Sequence, residues 1–377
     1  MKNRDLKKLG IYLHAPFCLK KCPYCAFYSL CANETTIKSY VKRIINSIKQ
    51  WGIALKNRYV VDTVYFGGGT PNLLKEKYIG DILCELSKSF YLLNPEITLE
   101  INPFSANNLD FNKMKALRVN RLSIGMQSMN DDELLILGRL HTSEKTIKTI
   151  EKAKNAKFDN ISLDVIINVP GQSKKKLKKT IEFCKWTGVQ HVSAYMLKVE
   201  KGTDFYKFKD RLEFLPEEEQ CENYIYTVNK LKECGFLQYE ISNFSKEGKF
   251  SKHNLKYWNL EDYLGLGPSA HSLIDKKRFY YKPSLDSFLK SEHPTVEEES
   301  INEEEEFAML QLRLKKGLTN ENYHKKFRKN IPREYFKRAE KLQKLGLLET
   351  NSISWIRLTT KGFLVSNRVI FAILYGL

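Results

Sequence analysis

The chain has 377 residues, of which 42% are hydrophobic and 28% charged, a balance typical of a globular protein with a sizeable core. The first ten residues are charged, and the apolar end segment 369–377 is shorter than the about 20 residues that cross a bilayer. Neither a secretory signal nor a membrane span is therefore predicted, and we expect a cytoplasmic protein. The net charge of +18 is spread along the chain, so we expect no nucleic-acid partner from charge alone.

Strand-like and helix-like segments alternate over the first 200 residues. The predicted strands are 11–17, 61–66, 97–101, 121–126, 161–169 and 191–197. The predicted helices between them are 35–55, 75–89, 110–117 and 173–187, together with helical segments across 131–157. Six β–α units in succession favour a parallel sheet that curls into a partial barrel. We therefore predict an α/β fold in which residues 1–200 form a partial (β/α)6 barrel like that of a TIM barrel.

Two further regions follow the predicted barrel. Residues 201–299 are less regular and rich in aromatic side chains, and we expect them to complete the barrel and to end in an acidic linker. Helical patterns return at 303–315, 320–328 and 332–344, and a short hairpin is predicted near 354–358. Residues 300–377 are therefore predicted to form a small, mainly helical domain similar to a winged helix.

Three of the eight cysteines lie within eight residues, directly after the first predicted strand. Cys18, Cys22 and Cys25 have the spacing C-x3-C-x2-C, and thiols of a cytosolic chain favour metal binding over disulfides. Three thiolates on a four-iron cube leave one iron open to a further ligand. A zinc site would need a fourth Cys or His, for which Cys31 is a loosely spaced candidate. Chance clustering is the remaining alternative, and we favour the open [4Fe–4S] cluster.

Polar residues and glycines stand at or near the ends of the following predicted strands, where ligands of parallel barrels bind. Glycines let a backbone approach a ligand closely, and a buried carboxylate without a partner is costly, so both features indicate a polar ligand. A tight turn and structural hydrogen bonds or surface ion pairs are the alternative interpretations. The residues concerned are Gly67, Gly68, Gly69, Thr70, Glu100, Gln127, Arg139 and Asp164.

Nine segments in this order resemble the radical S-adenosylmethionine (SAM) superfamily. Within it, the chain resembles the branch of the oxygen-independent coproporphyrinogen III oxidases of porphyrin biosynthesis, and most closely the HemW-type heme chaperones. The segments that carry the resemblance are 18–25, 65–71, 100–103, 121–128, 137–141, 169–172, 238–244, 253–258 and 264–271. The resemblance covers nearly the whole chain, and it implies a barrel of the radical SAM type with the C-terminal domain of that branch.

The resemblance also implies the cofactors. The three cysteines would hold the [4Fe–4S] cluster, SAM would bind its open iron, and a reducing electron donor would be a partner. The SAM amino group would meet the turn from Gly67 to Thr70, and Arg139 would pair with the SAM carboxylate. By the resemblance, the positions that contact SAM are Tyr12, Tyr24, Gly69, Thr70, Glu100, Gln127, Arg139 and Asp164. The related oxidase holds two SAM molecules, and their number in this chain stays open.

Two functions are compatible with the resemblance, a heme chaperone that delivers heme to acceptor proteins and a SAM-dependent coproporphyrinogen III oxidase. Oxidases of this type carry a further Cys where this chain has Phe27, and an extension before the first strand, which begins here at Ile11. Both features favour the chaperone. Ala26 and the pair Ile167 and Asn168 depart from the family's usual residues, so we assign no catalytic residue and leave turnover open.

Heme itself is the third implied cofactor. His253 is a candidate iron ligand, and Tyr257 and Trp258 offer flat faces to the macrocycle. The alternative is a packed corner in which His253 bonds to its neighbours, and His271 is a second candidate ligand.

Further partners are expected mainly from the resemblance. Heme-accepting proteins are expected to contact the chain, and transient membrane association and a homodimer stay open. The C-terminal domain is expected to cover the barrel or to meet a heme recipient. The basic residues of its second helix keep nucleic acid as a minor alternative: Lys325, Lys326, Arg328 and Lys329.

Overall fold

The structure is a computed structural model that describes residues 6–376. Its strands are β1 Lys7–Ala15, β2 Tyr59–Gly68, β3 Tyr91–Ile101, β4 Arg121–Gln127, β5 Ile161–Ile167, β6 His191–Met196, β7 Leu237–Gln238, β8 Asn243–Ser245, β9 Tyr263–Leu266, β10 His271–Ile274, β11 Lys277–Tyr280, β12 Thr295–Glu298, β13 Leu318–Thr319, β14 Leu348–Thr350 and β15 Trp355–Leu358. Its α-helices are α1 Glu34–Leu55, α2 Lys75–Ser89, α3 Phe111–Ala116, α4 Asp131–Ile136, α5 Ser143–Asn155, α6 Lys174–Trp186, α7 Asp204–Lys207, α8 Glu217–Glu233, α9 Lys252–Trp258, α10 Leu285–Leu289, α11 Glu303–Gln311, α12 Asn320–Phe327, α13 Arg333–Gln343, α14 Thr360–Leu364 and α15 Ser366–Tyr375.

Most strands belong to one curved sheet, in which β1 to β6 are parallel neighbours in chain order. The complete order of its twelve strands is β12-β11-β10-β9-β1-β2-β3-β4-β5-β6-β8-β7. This arrangement confirms the predicted α/β fold and partial barrel. Strands from residues 201–299 join both edges of the sheet, with β8 beside β6 and β9 beside β1, so this region extends the barrel. The proposed domain boundaries at 200 and 300 stay a prediction.

The parallel strands form because their side chains are apolar on both faces, as expected for a sheet covered by helices. In β5 every residue except Asp164 is buried. Helices α1 and α6 begin at capping side chains: Asn33 accepts from the N–H of Thr36 at the start of α1, and Ser173 accepts from the N–H of Lys176 at the start of α6. Each helix then packs one apolar face on the sheet, and the carboxyl ends of β1 to β6 are left to form one rim.

The helical segments predicted across 131–157 are two helices, α4 and α5, with a break between them. Gly138 ends α4 with a φ of +65°, and a Cβ at this position would lie 2.5 Å from Cδ of Pro23 in the cysteine loop. A left-handed glycine is the usual way to stop a helix. The break turns the following residue, Arg139, toward the barrel rim.

The C-terminal region contains the predicted hairpin, since β14 pairs with β15, and β13 adds a third antiparallel strand. The helices α14 and α15 were not predicted. The last helix is amphipathic and buries Val369, Ile370 and Ile373, whereas Phe371 is 59% exposed. No helix within residues 6–376 combines the length and apolarity that a membrane span requires.

Helix α9 carries the segment that resembles the heme motif, and a buried ion pair joins it to the barrel. The Lys256 ammonium is 2.7 Å from Asp62 Oδ1 of β2 and 2.9 Å from Glu261 Oε2, and its side chain is 3% exposed. Removing one partner of a buried pair leaves an uncompensated charge, which is strongly destabilising.

We expect Lys256→Ala to lower the free energy of unfolding by about 3 kcal/mol, because Asp62 would stay partly buried without its cation. The matched control is Lys252→Ala, which removes an exposed lysine one turn earlier in α9 and should change stability little. Urea unfolding followed by fluorescence and by circular dichroism measures both variants. Equal midpoints for the two would contradict the anchoring role.

Candidate cluster and cofactor site

A cavity of about 420 Å³ lies at the rim formed by the carboxyl ends of the parallel strands. Its volume is in the range of small-molecule sites. The structure places eleven of the thirteen predicted cluster and SAM residues on its wall: Cys18, Cys22, Cys25, Tyr24, Gly68, Gly69, Thr70, Glu100, Gln127, Arg139 and Asp164. Residues that are up to 146 positions apart in sequence are thus brought together.

The cysteine loop leaves β1 and closes on itself. The N–H of Cys18 donates to the carbonyl of Leu30 at 3.0 Å, and the N–H of Cys25 donates to the carbonyl of Cys22 at 3.0 Å. Cys31 is exposed, its thiol donates to the carbonyl of Leu19, and it does not line the cavity. Within residues 6–376 no three His, Cys, Asp or Glu side chains converge on a single metal ion.

The glycine turn after β2 is bound tightly to the cysteine loop. The N–H of Gly69 donates to the carbonyl of Ala15 at 2.9 Å, and the N–H of Thr70 donates to that of Phe17 at 2.7 Å. A Cβ on Gly69 would lie 2.8 Å from the Phe17 oxygen, so a side chain would push the two segments apart. The N–H of Gly68 donates to Glu100 Oε2 at 3.2 Å. With these N–H groups used, carbonyl oxygens are the backbone groups that the turn can offer to an amino group.

Two polar side chains approach the thiols. Thr70 Oγ1 is 3.6 Å from Cys18 Sγ, and Arg139 Nη1 is 3.7 Å from Cys22 Sγ. Arg139 also lies 3.5 Å from the Tyr24 hydroxyl and donates to the carbonyl of Gly125 at 3.2 Å. Arg139 therefore connects the cysteine loop with β4, and donors near cluster sulfurs are one way in which proteins tune such clusters.

Two carboxyl groups face the cavity from neighbouring parts of the barrel. Glu100 accepts from the Tyr65 hydroxyl at 2.9 Å, and Asp164 accepts from the Ser123 hydroxyl at 3.1 Å. Burial, and then the nearby Asp164 charge, raises the pKa of Glu100 to about 7. Burial also raises the pKa of Asp164, against the hydrogen bonds from Ser193 and Ser123. The ionisation of Glu100 therefore responds to pH near neutrality.

Two of the predicted SAM residues do not reach the wall. The Tyr12 hydroxyl bonds to His14 Nδ1 at 3.0 Å, and its ring lies against Tyr65 and His253, which puts it behind the wall. Gly67 is buried, and a Cβ there would lie 3.0 Å from both Glu100 Oε1 and the Tyr12 ring. Contact of SAM with Tyr12 and Gly67 would require the surrounding side chains, Tyr65 and Glu100 among them, to move, and it stays a prediction.

The heme candidates lie in two different environments. His253 is 1% exposed, with Nδ1 2.8 Å from Thr63 Oγ1 and Nε2 2.9 Å from the Tyr257 hydroxyl. Burial, and then the charges of Lys256 and Arg121, lowers the pKa of His253 to about 3. This is the packed corner that the sequence left as an alternative. The same segment reaches the cavity through Asn254, which lines it.

His271 begins β10 and is half-exposed. Its ring stacks on Tyr280 at 5.0 Å between centroids, and its Nδ1 is 3.5 Å from Glu297 Oε2. Trp258 is partly exposed at the end of α9, where its carbonyl accepts from Gln311. In the C-terminal domain, Lys326 bonds to the carbonyl of Leu260 and Lys329 pairs with Glu304.

Among the charged residues of the cavity wall that the sequence analysis missed, Arg121 is the buried one. Arg121 opens β4, is 2% exposed and lines the deep end of the cavity. Strand alternation puts Arg121 on the face shared by Ser123, Gly125 and Gln127. Gln127 was already assigned to the site, and every second residue before it on β4 lies on the same face. Arg121 is the charged residue of that face, so this alternation would have found it.

The family comparison agrees with this geometry. The model of the radical SAM superfamily matches residues 12–184, and the model of the HemN C-terminal domain matches residues 301–365. The whole chain superimposes on coproporphyrinogen III oxidase (HemN) from Escherichia coli, with a TM-score of 0.82 at 18% identity and coverage of 100% and 92% of the two chains. The fold and the three-cysteine rim define a radical SAM protein of the HemN-like type.

Similar proteins of known name identify the family within the radical SAM class to which the chain belongs. The chain is 33% identical to heme chaperone HemW of Bacillus subtilis and 31% identical to that of Lactococcus lactis, over 96% of this chain and 98% and 96% of theirs. It is 34% identical to the mitochondrial radical S-adenosyl methionine domain-containing protein 1 of Danio rerio, over 70% of this chain and 60% of that protein. The chain belongs to the HemW family.

Membership of the superfamily implies SAM and a [4Fe–4S] cluster, and the donor set fits both. Three thiols on one cavity wall suit an iron–sulfur cluster, and the adjoining carbonyl, carboxylate and guanidinium groups suit the amino, hydroxyl and carboxylate groups of SAM. When bound, the cluster and SAM supply one-electron chemistry. In this site the glycine turn would orient SAM, and Glu100, Asp164 and Arg139 would supply the charged groups that meet it.

We expect Cys22→Ala to lose the cluster, because two thiolates do not hold a cube that three can hold. Anaerobic reconstitution of the unmodified chain should give about four irons per chain. The matched control, Cys31→Ala, removes a thiol outside the cavity and should keep the iron. Iron analysis and the absorption of the cluster measure both variants. Iron loss in the Cys31 variant as well would contradict the three-thiol assignment.

We expect SAM affinity to fall as the pH is lowered through about 7, because protonation of Glu100 removes its negative charge and weakens the hydrogen bonds that it accepts from the ligand. In Glu100→Gln this decrease should flatten, with weaker binding at pH 8. Calorimetric titration of the reconstituted protein and of the variant with SAM, between pH 6 and 9, gives the dissociation constant at each pH. An unchanged pH profile in the variant would exclude Glu100 as its source.

Proposed function

We propose that this chain is a heme chaperone, which binds heme and transfers it to acceptor hemoproteins. The observation that carries the proposal is the nearly end-to-end match to proteins named heme chaperone HemW, at 33% and 31% identity. Phe27 supports it, since the resembling oxidases have a further cysteine at that position. Phe27 is 67% exposed at the rim of the cavity.

In this proposal the rim and the α9 segment have separate tasks. Cys18, Cys22 and Cys25 hold the cluster, and the open iron faces SAM. Thr70 and Arg139 donate toward the thiols, and the glycine turn, Glu100, Gln127 and Asp164 orient SAM. A reducing protein is the partner that supplies electrons. The α9 segment, with His253, Tyr257 and Trp258, takes the heme.

Heme binding at α9 has a specific structural requirement. Both ring nitrogens of His253 are already hydrogen bonded, so iron could bind only after the contact with Thr63 or with Tyr257 opens. The neutral imidazole that burial enforces is the form that binds a metal. His271 needs no such opening, because its ring is half-exposed and Glu297 lies on the Nδ1 side. The two histidines are therefore alternative ligands with different expected kinetics.

The second candidate function is SAM-dependent oxidation of coproporphyrinogen III. It is favoured by the full-length superposition on the Escherichia coli oxidase, which shows the shared fold. Against it stands Phe27, where oxidases of this type carry a further Cys. Ala26 departs from the acidic residue usual in the HemW type, and Asn168 departs from the usual residue of its segment, so both leave turnover open without favouring either function. We therefore rank the oxidase second.

Heme titration is the decisive experiment. We expect the unmodified chain to bind heme tightly, and His253→Ala to weaken binding by tenfold or more if α9 supplies the iron ligand, since an axial imidazole contributes much of the iron affinity. His271→Ala tests the alternative ligand, and His293→Ala is the control because His293 is also exposed but lies in a loop. The Soret band measures the affinity. No heme binding by the unmodified chain would refute the chaperone.

A turnover assay separates the two functions. Under reducing anaerobic conditions with SAM, the reconstituted chain should leave coproporphyrinogen III unchanged. Liquid chromatography of the tetrapyrroles detects any product. Conversion to protoporphyrinogen IX would make the oxidase the better description.

A further inference from the structure

The deep end of the cavity contains a buried cation without a direct partner. Arg121 is 2% exposed, and among residues 6–376 none of its nitrogens has a carboxylate oxygen within 4.0 Å. Its Nε has no hydrogen-bond partner in the described part of the chain. Arginine keeps its proton in proteins, so this charge cannot be neutralised by titration. Burying a charge without a partner lowers the stability of the folded protein. Because Arg121 lies on the cavity wall, we infer that this charge is kept for ligand binding.

Three carboxyl groups surround this guanidinium without bonding to it. Glu96 is turned toward α9, where its Oε1 accepts from the N–H of His253 at 3.2 Å. Asp164 is held by Ser123, and Glu100 by Tyr65 and the turn after β2. Each acid thus has its own donors, and Arg121 acts on all three through its electric field, which is weakly screened away from water.

The field of Arg121 opposes the effect of burial. Burial raises the pKa of Glu96, Glu100 and Asp164, and the charge of Arg121 lowers the pKa of each. Without Arg121 these acids would be protonated at a higher pH. Protonation would remove hydrogen-bond acceptors and negative charge from the wall that faces a cationic ligand.

We propose that Arg121 is a positioning residue for SAM, which keeps Glu100 and Asp164 in the ionised form that accepts hydrogen bonds from this cationic ligand. The proposal rests on the SAM site described above and adds a residue that does not itself contact the reacting atoms. The proposal gives Arg121, at the floor of the barrel, a role in ligand binding. If this position served packing only, an apolar side chain would stabilise the fold more than a buried charge does.

The other groups near the two acids keep the test simple. The titratable and charged groups that face Glu100 and Asp164 from the surrounding elements are Tyr12, Tyr65, Arg121, Arg139, Tyr195 and Tyr257. Glu240 lies beyond Tyr195, and burial raises the pKa of this further carboxyl group to about 7. Burial raises the pKa of these four tyrosines above the usual value of 10.0, and His253 deprotonates at about 3. Between pH 6 and 9 the carboxyl groups are therefore the residues of this set that change charge.

The experiment compares Arg121→Met with the unmodified chain, both reconstituted anaerobically. SAM dissociation constants are measured at half-unit steps from pH 6 to 9, and the ratio of variant to unmodified chain cancels the titration of SAM itself. We expect about fivefold weaker binding at pH 7, about tenfold weaker binding at pH 6 and recovery toward pH 9, because a rise of the Glu100 pKa by about one unit from about 7 lowers its ionised fraction by these factors. Iron content and thermal unfolding report whether the variant keeps its fold and cluster.

Glu96→Gln is the second variant and should move the profile in the opposite direction. It removes one of the three charges that Arg121 compensates, and its amide oxygen can still accept from the N–H of His253. We expect SAM binding at pH 6 to strengthen severalfold. If Arg121→Met does not fold, Glu96→Gln alone tests whether the charges at the floor of the barrel affect SAM binding.

Three results would overturn the proposal. Binding profiles of Arg121→Met that superimpose on those of the unmodified chain would show that the charge has no effect. The same loss at every pH would show a packing role only. An unshifted profile in Glu96→Gln would show that the floor charges do not reach the SAM site. Absence of SAM binding by the unmodified chain, with iron present, would instead refute the SAM site itself.

Discussion

The position of the cysteine loop depends on two backbone hydrogen bonds. They join Gly69 and Thr70 to the carbonyls of Ala15 and Phe17, so the loop after β1 and the turn after β2 form one unit. The close approach requires a residue without a side chain at Gly69. The thiols and the backbone carbonyls that would hold SAM are consequently in register before any ligand binds, which lowers the entropic cost of binding.

Charge is distributed unevenly around this unit. Arg139 lies at the rim beside Cys22, Arg121 lies at the floor, and Glu100 and Asp164 lie between them. A parallel barrel usually fills such inward positions with apolar side chains, and the polar ones here cost stability. Their hydrogen bonds to Tyr65 and Ser123 offset part of that cost. Glu100 and Asp164 are the groups of this wall that suit the positive charges of a small, cationic ligand.

Helix α9, where we propose that heme binds, contacts the same part of the barrel. Helix α9 is anchored by Lys256 to β2, its His253 ring is locked between Thr63 and Tyr257, and Asn254 faces the cavity. Glu96 accepts a hydrogen bond from the N–H of His253 and lies near Arg121 at the floor of the barrel. A movement of His253 would therefore change the position of Glu96 relative to Arg121. The hydrogen bond from His253 to Glu96 and the side chain of Asn254 therefore connect α9 with the cavity.

The sequence by itself determined the class of protein, the α/β barrel and the rim position of residues such as Cys18, Glu100 and Asp164, because cysteine spacing and strand alternation are local patterns. Only the tertiary structure decided that Tyr12 lies behind the wall, that Arg121 is unpaired, and that Gly138 breaks a helix. It also decided that Thr63, 190 residues away, occupies a ring nitrogen of His253. Local spacing sets the face and the strand end of a side chain. The partner of that side chain depends on distant segments that meet only in the folded barrel.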